Sequence, residues 1–250
     1  MSEDKQRASL EYLDPVQILK NENGACFIEF EKSVIGTLSF LATAAEEIPV
    51  TIYMGERKNE DQTVHKNPGR SNIGFQQMDM ILAEGTHQYM VELKKKEPKG
   101  YLHSQKLAPH YPEVMPFRYV EIIGKEGAFQ IEEAKQAALF YYFDESASSF
   151  TCSDENLIRV WDLCKYTQKA TPFLGVYCDG NRERMPYEAD AYIQMLSHFA
   201  TDREYSIARY TINFLLDHAS WPTQWQMHMV LMAWEYYMQT GDLNLLEERY

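Results

Sequence analysis

Along these 250 residues the spacing of apolar side chains changes once, near residue 150, and that change constrains the fold more than any other feature. On the N-terminal side, short runs rich in β-branched and aromatic residues alternate with turn residues, over 25–31, 37–41, 50–54, 75–82, 88–93 and 117–123. Such runs predict an antiparallel β-sandwich, because each can bury one face of a pleated strand before the chain reverses. The reversals fall at Asn23-Gly24, Asn67-Pro68-Gly69 and Pro98-Lys99-Gly100, where Gly and Pro supply the backbone angles of a tight turn. Residues 1–143 accordingly hold nine of the twelve glycines and seven of the ten prolines, and none of the four tryptophans. One stretch resists the pattern: 131–139 is made of strong helix formers while 139–143 prefers a strand, and propensity does not decide between them. Lys94-Lys95-Lys96 reads as a solvated loop or strand end.

Beyond Ser149 the period becomes helical. Ser153 precedes Asp154 and Glu155, which suit the positive end of a helix dipole, and Leu157, Val160, Trp161 and Cys164 then share one face. Thr171-Pro172 ends that helix. A second is expected over 188–200, burying Tyr192, Ile193, Leu196 and Phe199. Thr201-Asp202-Arg203-Glu204 forms a capping box for a third that reaches about His218. Thr223-Gln224-Trp225-Gln226 repeats the pattern ahead of a fourth, whose apolar residues include Val230, Leu231 and Met238, with Met232, Trp234 and Tyr237 in the core. Gly241 is its C-cap and Asp242 the next N-cap. Helices starting about every 20 residues with short connections form antiparallel hairpins, and stacked hairpins give a bundle, a solenoid or a closed α/α toroid. Of these the toroid commonly frames a central sugar-binding cleft. The expected organisation is a β-sandwich domain over 1–148 and a helical domain over 149–250.

Composition narrows the function. With 24 basic against 37 acidic residues the net charge is −13, which argues against a general nucleic-acid binder, since neutralising phosphates needs clustered cations. No run of about 18 apolar residues exists to span a membrane. An apolar share of 45% with 13% aromatics is too high for a disordered chain. Cys26, Cys152, Cys164 and Cys178 form no CxxC pair, so they read as buried free thiols rather than a zinc site or disulfide framework, and no metal or cofactor is expected. The N-terminus lacks the apolar stretch of a secretory signal, yet a signal already removed would leave the same ending; periplasmic, extracellular and cytoplasmic locations all stay open.

Residues 171–187 make a connection far longer than the roughly 2 to 8 residues that join most helices. Loops of that length are usually functional or disordered, and Phe173, Tyr177 and Tyr187 make this one too aromatic for disorder. It and the helix start after it present Asp179, Glu183, Glu188 and Asp190, interleaved with Arg182 and Arg184. Glycoside hydrolysis needs one protonated carboxylic acid for the leaving oxygen and one carboxylate to activate water or attack carbon, so the cluster meets the compositional requirement. A structural reading stands beside it: the arginines pair with the acids, and Glu188 and Asp190 occupy the first helical turn for dipole reasons. The arginines also oppose a general acid, because adjacent cations favour the ionised carboxylate. Burial against Tyr187 and repulsion from Asp179 or Asp190 have to outweigh them.

The stretch Cys178-Asp-Gly-Asn-Arg-Glu-Arg-Met-Pro-Tyr-Glu-Ala-Asp190, preceded by Phe150-Thr-Cys-Ser-Asp-Glu-Asn-Leu157, resembles the signature of bacterial α-L-rhamnosidases of glycoside hydrolase family 78. Phe117-Arg-Tyr-Val-Glu-Ile122 and Met54-Gly-Glu56 resemble the β-sandwich that precedes the catalytic toroid there. The resemblance implies a multidomain β + α chain: an N-terminal antiparallel, jelly-roll-like β-sandwich followed by the first hairpins of an (α/α)6 toroid. It implies inverting hydrolysis of terminal α-L-rhamnosides with Glu183 as general acid and Asp179, Arg182 and Asp190 holding the rhamnose hydroxyls by charge-assisted hydrogen bonds. Trp225 matches an aromatic that packs on the sugar ring, and Tyr187 stands where many relatives carry Trp. The common family form has a longer Asp-Cys-Pro-Gln-Arg-Asp-Glu-Arg stretch, so matching Asp179 takes a gap of two, and the Asp that often follows the cleft Trp by two is Met227 here. The family's general base Glu lies later in the toroid, and no candidate for it remains within these 250 residues. The implied partner is a rhamnose-containing oligosaccharide or glycoside, with neither nucleic acid nor membrane, and a homodimer is left open. Two further readings stand beside it: a carbohydrate-binding or structural module without catalysis, and a six-hairpin glycosidase for another sugar.

Overall fold

The computed structural model describes residues 8–20, 25–69, 72–96 and 103–249, so the expected turns at Asn23-Gly24 and Pro98-Lys99-Gly100 lie outside the described residues. Among the described residues eight strands come first: β1 (Ala8–Leu13), β2 (Pro15–Lys20), β3 (Cys26–Ala44), β4 (Ile48–Gly55), β5 (Phe75–Leu82), β6 (Gly85–Met90), β7 (Met115–Ile123) and β8 (Phe129–Tyr141). Among the described residues five α-helices follow: α1 (Glu155–Ala170), α2 (Glu188–Thr201), α3 (Ser206–Asp217), α4 (His228–Thr240) and α5 (Asn244–Arg249). The chain divides into two compact units. One comprises Leu10–Glu97 with Ala108–Leu139, and the other Phe140–Tyr250 with Pro98–Leu107 and Met1–Ser9.

The strands form an antiparallel sheet of order β1-β8-β3-β7-β4-β5, with β2 and β6 also paired to β3. The 19-residue β3 is its spine. Its start pairs with β2 and β7; beyond a register shift between Glu29 and Val34 it pairs with β8 and β6, keeping β7 only as far as Gly36. Such irregularities bend a strand and increase its twist, which lets β3 change partners along its length. Successive residues from Val34 to Phe40 are buried, so both faces of the strand are covered there.

β3 unites two of the expected runs, because Val34, Ile35 and Gly36 carry the ladder across the gap. The undecided stretch is strand throughout β8. The pairing with β3 overrides its helix preference, and the two backbones lie close: a Cβ on Gly36 would lie 2.3 Å from the Ala137 carbonyl oxygen, so β3 admits only glycine there. β6 starts three residues before the expected run at 88–93, although Val91 N still donates to Leu38 O at 2.9 Å. β1 and β2 have no counterpart among the expected runs.

In the helical unit Tyr177, Ala191, Met195, Ile207, Ala208, Ile212, Leu215, Met232, Tyr236 and Leu245 share one core. The faces differ from expectation. α1 buries no residue, leaving Leu157, Val160 and Leu163 exposed; α2 buries Ala191, Met195 and His198 instead of Ile193 and Leu196; α4 buries Met229, Met232 and Tyr236 and exposes Trp234. These helices carry apolar residues around more than one face, and only the stripe meeting a neighbour within the described residues is covered. Periodicity alone does not say which stripe that is.

Caps shift too. Asp154 caps α1 through Asn156 N at 2.8 Å. Thr201 is used up ending α2, donating to the Ser197 and His198 carbonyls, so the capping box does not form; Glu204 accepts from Ser206 N and Ile207 N instead. Thr223–Met227 is a short 3-10 turn without a side-chain cap. Gly241 ends α4 at φ 69°, and Asp242 accepts from Asn244 N ahead of α5. All four cysteines are free thiols, but Cys152 and Cys164 are exposed, against the expectation of burial; burial pushes the Cys178 and Cys26 thiols up to about 12.

Candidate active site

The connection between α1 and α2 is anchored at its base and contorted at its tip. Phe173, Val176, Tyr177 and Cys178 are essentially inaccessible, Tyr177 N donates to Thr211 Oγ1, and Gln194 Nε2 donates to Cys178 O at 3.1 Å. After this anchor the backbone enters the left-handed region at Gly180 (φ 91°) and again at Arg184 (φ 54°). For Gly180 that conformation is free, whereas for Arg184 it costs on the order of 1 to 2 kcal/mol. Backbone strain of this kind collects at functional sites when the surroundings over-determine it. The surroundings here are specific. Arg184 is buried, with its Nε donating to Asn181 Oδ1 at 2.9 Å and its guanidinium carbon 5.9 Å from the Phe173 ring centre.

A second segment braces the tip. Ser104 Oγ donates to Glu183 O and Gln105 N to Arg184 O, both at 2.6 Å. Nothing in the spacing of Ser104 and Gln105 singles them out, since their role comes from a contact across some 80 positions of chain. With the backbone of Glu183 and Arg184 held, the Glu183 side chain is fixed in a buried position (6% exposed). Arg182 Nη2 ion-pairs with Oε1 of Glu183 and lies 3.4 Å from Asp179 Oδ2. The Tyr187 hydroxyl donates to Glu183 Oε2 at 2.5 Å, and the Tyr187 ring meets Trp225 edge-on at 6.1 Å. Asp190 sits in the first turn of α2, half-buried.

The electrostatics follow from this packing. Burial, then the negative charge of Glu183, holds Asp179 above the usual carboxylate range despite the opposing Arg182. The same two causes, in the same order, raise Asp190. The structure therefore brings Asp179, Arg182, Glu183 and Tyr187 into one bonded cluster, adds Trp225 through its ring contact with Tyr187, and couples Asp190 to Glu183 by charge. It removes Glu188 from the group. That side chain is fully buried and accepts from both the backbone N and the hydroxyl of Ser220, so it ties α2 to the segment leading into the 3-10 turn. Trp221 is 82% exposed, and His228 Nδ1 is spent on the Trp225 carbonyl at 3.0 Å.

A carboxyl pinned between a phenol and a guanidinium, with two further carboxyls held above their ordinary range, is suited to holding and moving a proton. An antiparallel sheet followed by helical hairpins that carry such a loop defines a class of architecture, and the comparisons name it. Residues 145–250 match the model of the bacterial alpha-L-rhamnosidase 6 hairpin glycosidase domain, in accord with the resemblance carried by the Arg-Glu-Arg motif. Among solved structures, the chain is similar to a rhamnosidase from Klebsiella oxytoca with rhamnose bound (TM-score 0.67, 13% identity, 96% of this chain and 54% of that one). It is similar to an alpha-L-rhamnosidase from Dictyoglumus thermophilum (TM-score 0.72, 20% identity, 95% and 27%). It is also similar to the Streptomyces avermitilis alpha-L-rhamnosidase complexed with L-rhamnose (TM-score 0.62, 14% identity, 85% and 19%). The chain thus spans about half the length of the first of these and about a quarter or less of the others. No curated protein matches it by sequence.

Proposed function

We propose that this chain is the β-sandwich domain (1–148) and the first part of the catalytic toroid (149–250) of a glycoside hydrolase that removes terminal α-L-rhamnose by an inverting general acid/base mechanism. The single observation carrying this reading is the buried Glu183, whose two carboxylate oxygens meet Arg182 and Tyr187 within a loop braced from Ser104 and Gln105. Glu183 is the general acid, giving its proton to the leaving glycosidic oxygen. Asp179, Arg182 and Asp190 bind the rhamnose hydroxyls, and Tyr187 with Trp225 forms the aromatic wall. In an inverting site the second carboxylate stands about 6.5 to 9.5 Å from the first to leave room for the attacking water, and we assign it to residues outside these 250. The rhamnosidases to which the chain is similar, two of them with rhamnose bound, support the choice of sugar.

The test is release of rhamnose from an aryl α-L-rhamnoside by the full-length gene product and by Glu183→Gln. The variant is expected to lose about 10² to 10⁴ in rate while still binding rhamnose. Full activity in the variant rejects the assignment, and turnover of a different glycoside in a panel of aryl sugars keeps the mechanism but replaces the substrate.

A further inference from the structure

Glu183 is held by two donors of unequal freedom. Tyr187 is 8% exposed and its ring is set against Trp225, whereas the Arg182 side chain is 51% exposed. The phenol, four residues along the same loop, leaves Oε2 only if the loop repacks. The guanidinium, half exposed and shared with Asp179, is the donor of the two that can reach the hydroxyls of a sugar. A donated hydrogen bond and an adjacent cation both favour the ionised carboxylate, so moving the cation away favours the protonated form.

We propose that Tyr187 is a positioning residue for Glu183: its hydroxyl reserves Oε2 as an acceptor, so that the proton Glu183 takes up when Arg182 turns to the substrate resides on Oε1. This rests on the reading of Glu183 as general acid. The proton comes from solvent, sits on Oε1, and passes to the leaving oxygen as the glycosidic C–O bond breaks, returning Glu183 to the doubly held carboxylate. The groups acting on Glu183 are the Arg182 cation, the Tyr187 dipole and the carboxyls of Asp179 and Asp190. Tyr187 differs from a sugar-stacking residue in that its polar end, rather than its ring face, does the positioning.

The experiment is a carboxyl-13C NMR titration of Glu183 in the full-length gene product, in its Tyr187→Phe variant, and with 3-fluorotyrosine at position 187, each with binding of methyl α-L-rhamnoside measured alongside. Loss of the hydroxyl is expected to raise the Glu183 midpoint by about one pH unit, since it removes a hydrogen bond to a charged group. The fluorinated phenol, a stronger donor of nearly the same shape, is expected to lower it. A midpoint unmoved in both, or moved in the same direction by both, overturns the proposal. Should neither wild type nor variants bind the rhamnoside, the substrate reading fails and the titration still decides the role of Tyr187.

Discussion

Tyr177 Oη stands 2.6 Å from His198 Nδ1 in the interior of the helical unit. The other ring nitrogen of His198 lies 3.2 Å from Asp202 Oδ2, and all three side chains are buried. Burial, reinforced by the negative charges of Glu204 and Asp202, pushes the Tyr177 phenol well above its ordinary range, so it remains a donor. The proton order is therefore Tyr177 O–H to Nδ1 and Nε2–H to the Asp202 carboxylate. This relay fastens the residue two positions before Asp179 to the last turn of α2.

Tyr177→Phe keeps the ring and strands His198 Nδ1 without its donor. The expected cost is about 1 to 3 kcal/mol, because a buried polar atom left unpaired forfeits its desolvation energy. Urea unfolding followed by far-UV circular dichroism measures it, and a midpoint equal to wild type means that the relay contributes nothing.

Asp202 makes the relay sensitive to acid. Burial alone would raise its carboxyl, but the hydrogen bonds from His198, Arg203 N and Asp144 N outweigh burial and hold it below the ordinary 3.8. A group depressed in the folded state stabilises above its unfolded value and loses that contribution as pH falls through the folded one. Stability is therefore expected to drop on acidification below about pH 4, and Asp202→Asn to flatten that part of the curve. Parallel pH profiles for wild type and variant between about pH 5 and pH 3 rule this out.

What the sequence revealed depended on where each element finds its partners. β4, β5 and β7 fall within a few residues of their expected runs, because apolar alternation between turns is a local signal. β8 was hidden, since its pairing with the distant β3 overrides the helix preference of its own residues. In the site, the carboxylates and arginines were legible in one 13-residue stretch, while Ser104, Gln105 and Ser220 were not, because each reaches its partner from a distant segment. Helix existence was local information as well; the buried face of each helix was not.

Arg184 offers a test of backbone strain separate from side-chain loss. Arg184→Gly and Arg184→Ala both delete the bond to Asn181 Oδ1, but only glycine adopts φ near 54° without penalty. Gly is expected to be more stable than Ala by about 1 kcal/mol in thermal unfolding, despite its greater freedom in the unfolded chain. Equal stability would show that the loop relaxes when the guanidinium is lost.

Gly36→Ala is expected to disrupt the sheet severely. The new methyl would sit 2.3 Å from Ala137 O and 2.9 Å from Ala138 Cα, and both are backbone atoms of the neighbouring strand with no rotamer to change. Overpacking of this kind costs about 1 to 3 kcal/mol where side chains can adjust, and more is expected where they cannot. The readout is the soluble yield and urea midpoint of the variant, and a midpoint within about 0.5 kcal/mol of wild type contradicts the close approach of β3 and β8.

Glu188 and Ser220 carry the last prediction, which concerns how Trp225 is held. Glu188 Oε1 accepts from Ser220 N at 2.8 Å and Oε2 accepts from the Ser220 hydroxyl, all in an inaccessible setting at the start of α2. Ser220 lies just before the 3-10 turn that displays Trp225, so this bidentate contact sets where the turn begins relative to Tyr187. Glu188→Gln keeps an acceptor for one of the two donors and is expected to cost about 1 to 2 kcal/mol; Glu188→Ala leaves the Ser220 amide buried without it and should cost about 3 kcal/mol or more. Ser220→Ala removes only the hydroxyl donor, so the Glu188→Gln and Ser220→Ala double variant should show a coupling above about 0.5 kcal/mol. Near-UV circular dichroism should change with Glu188→Ala as the Trp225 ring loses its edge contact with Tyr187. Additive energies together with an unchanged aromatic signal would mean that the contact holds α2 alone and leaves the turn to position itself.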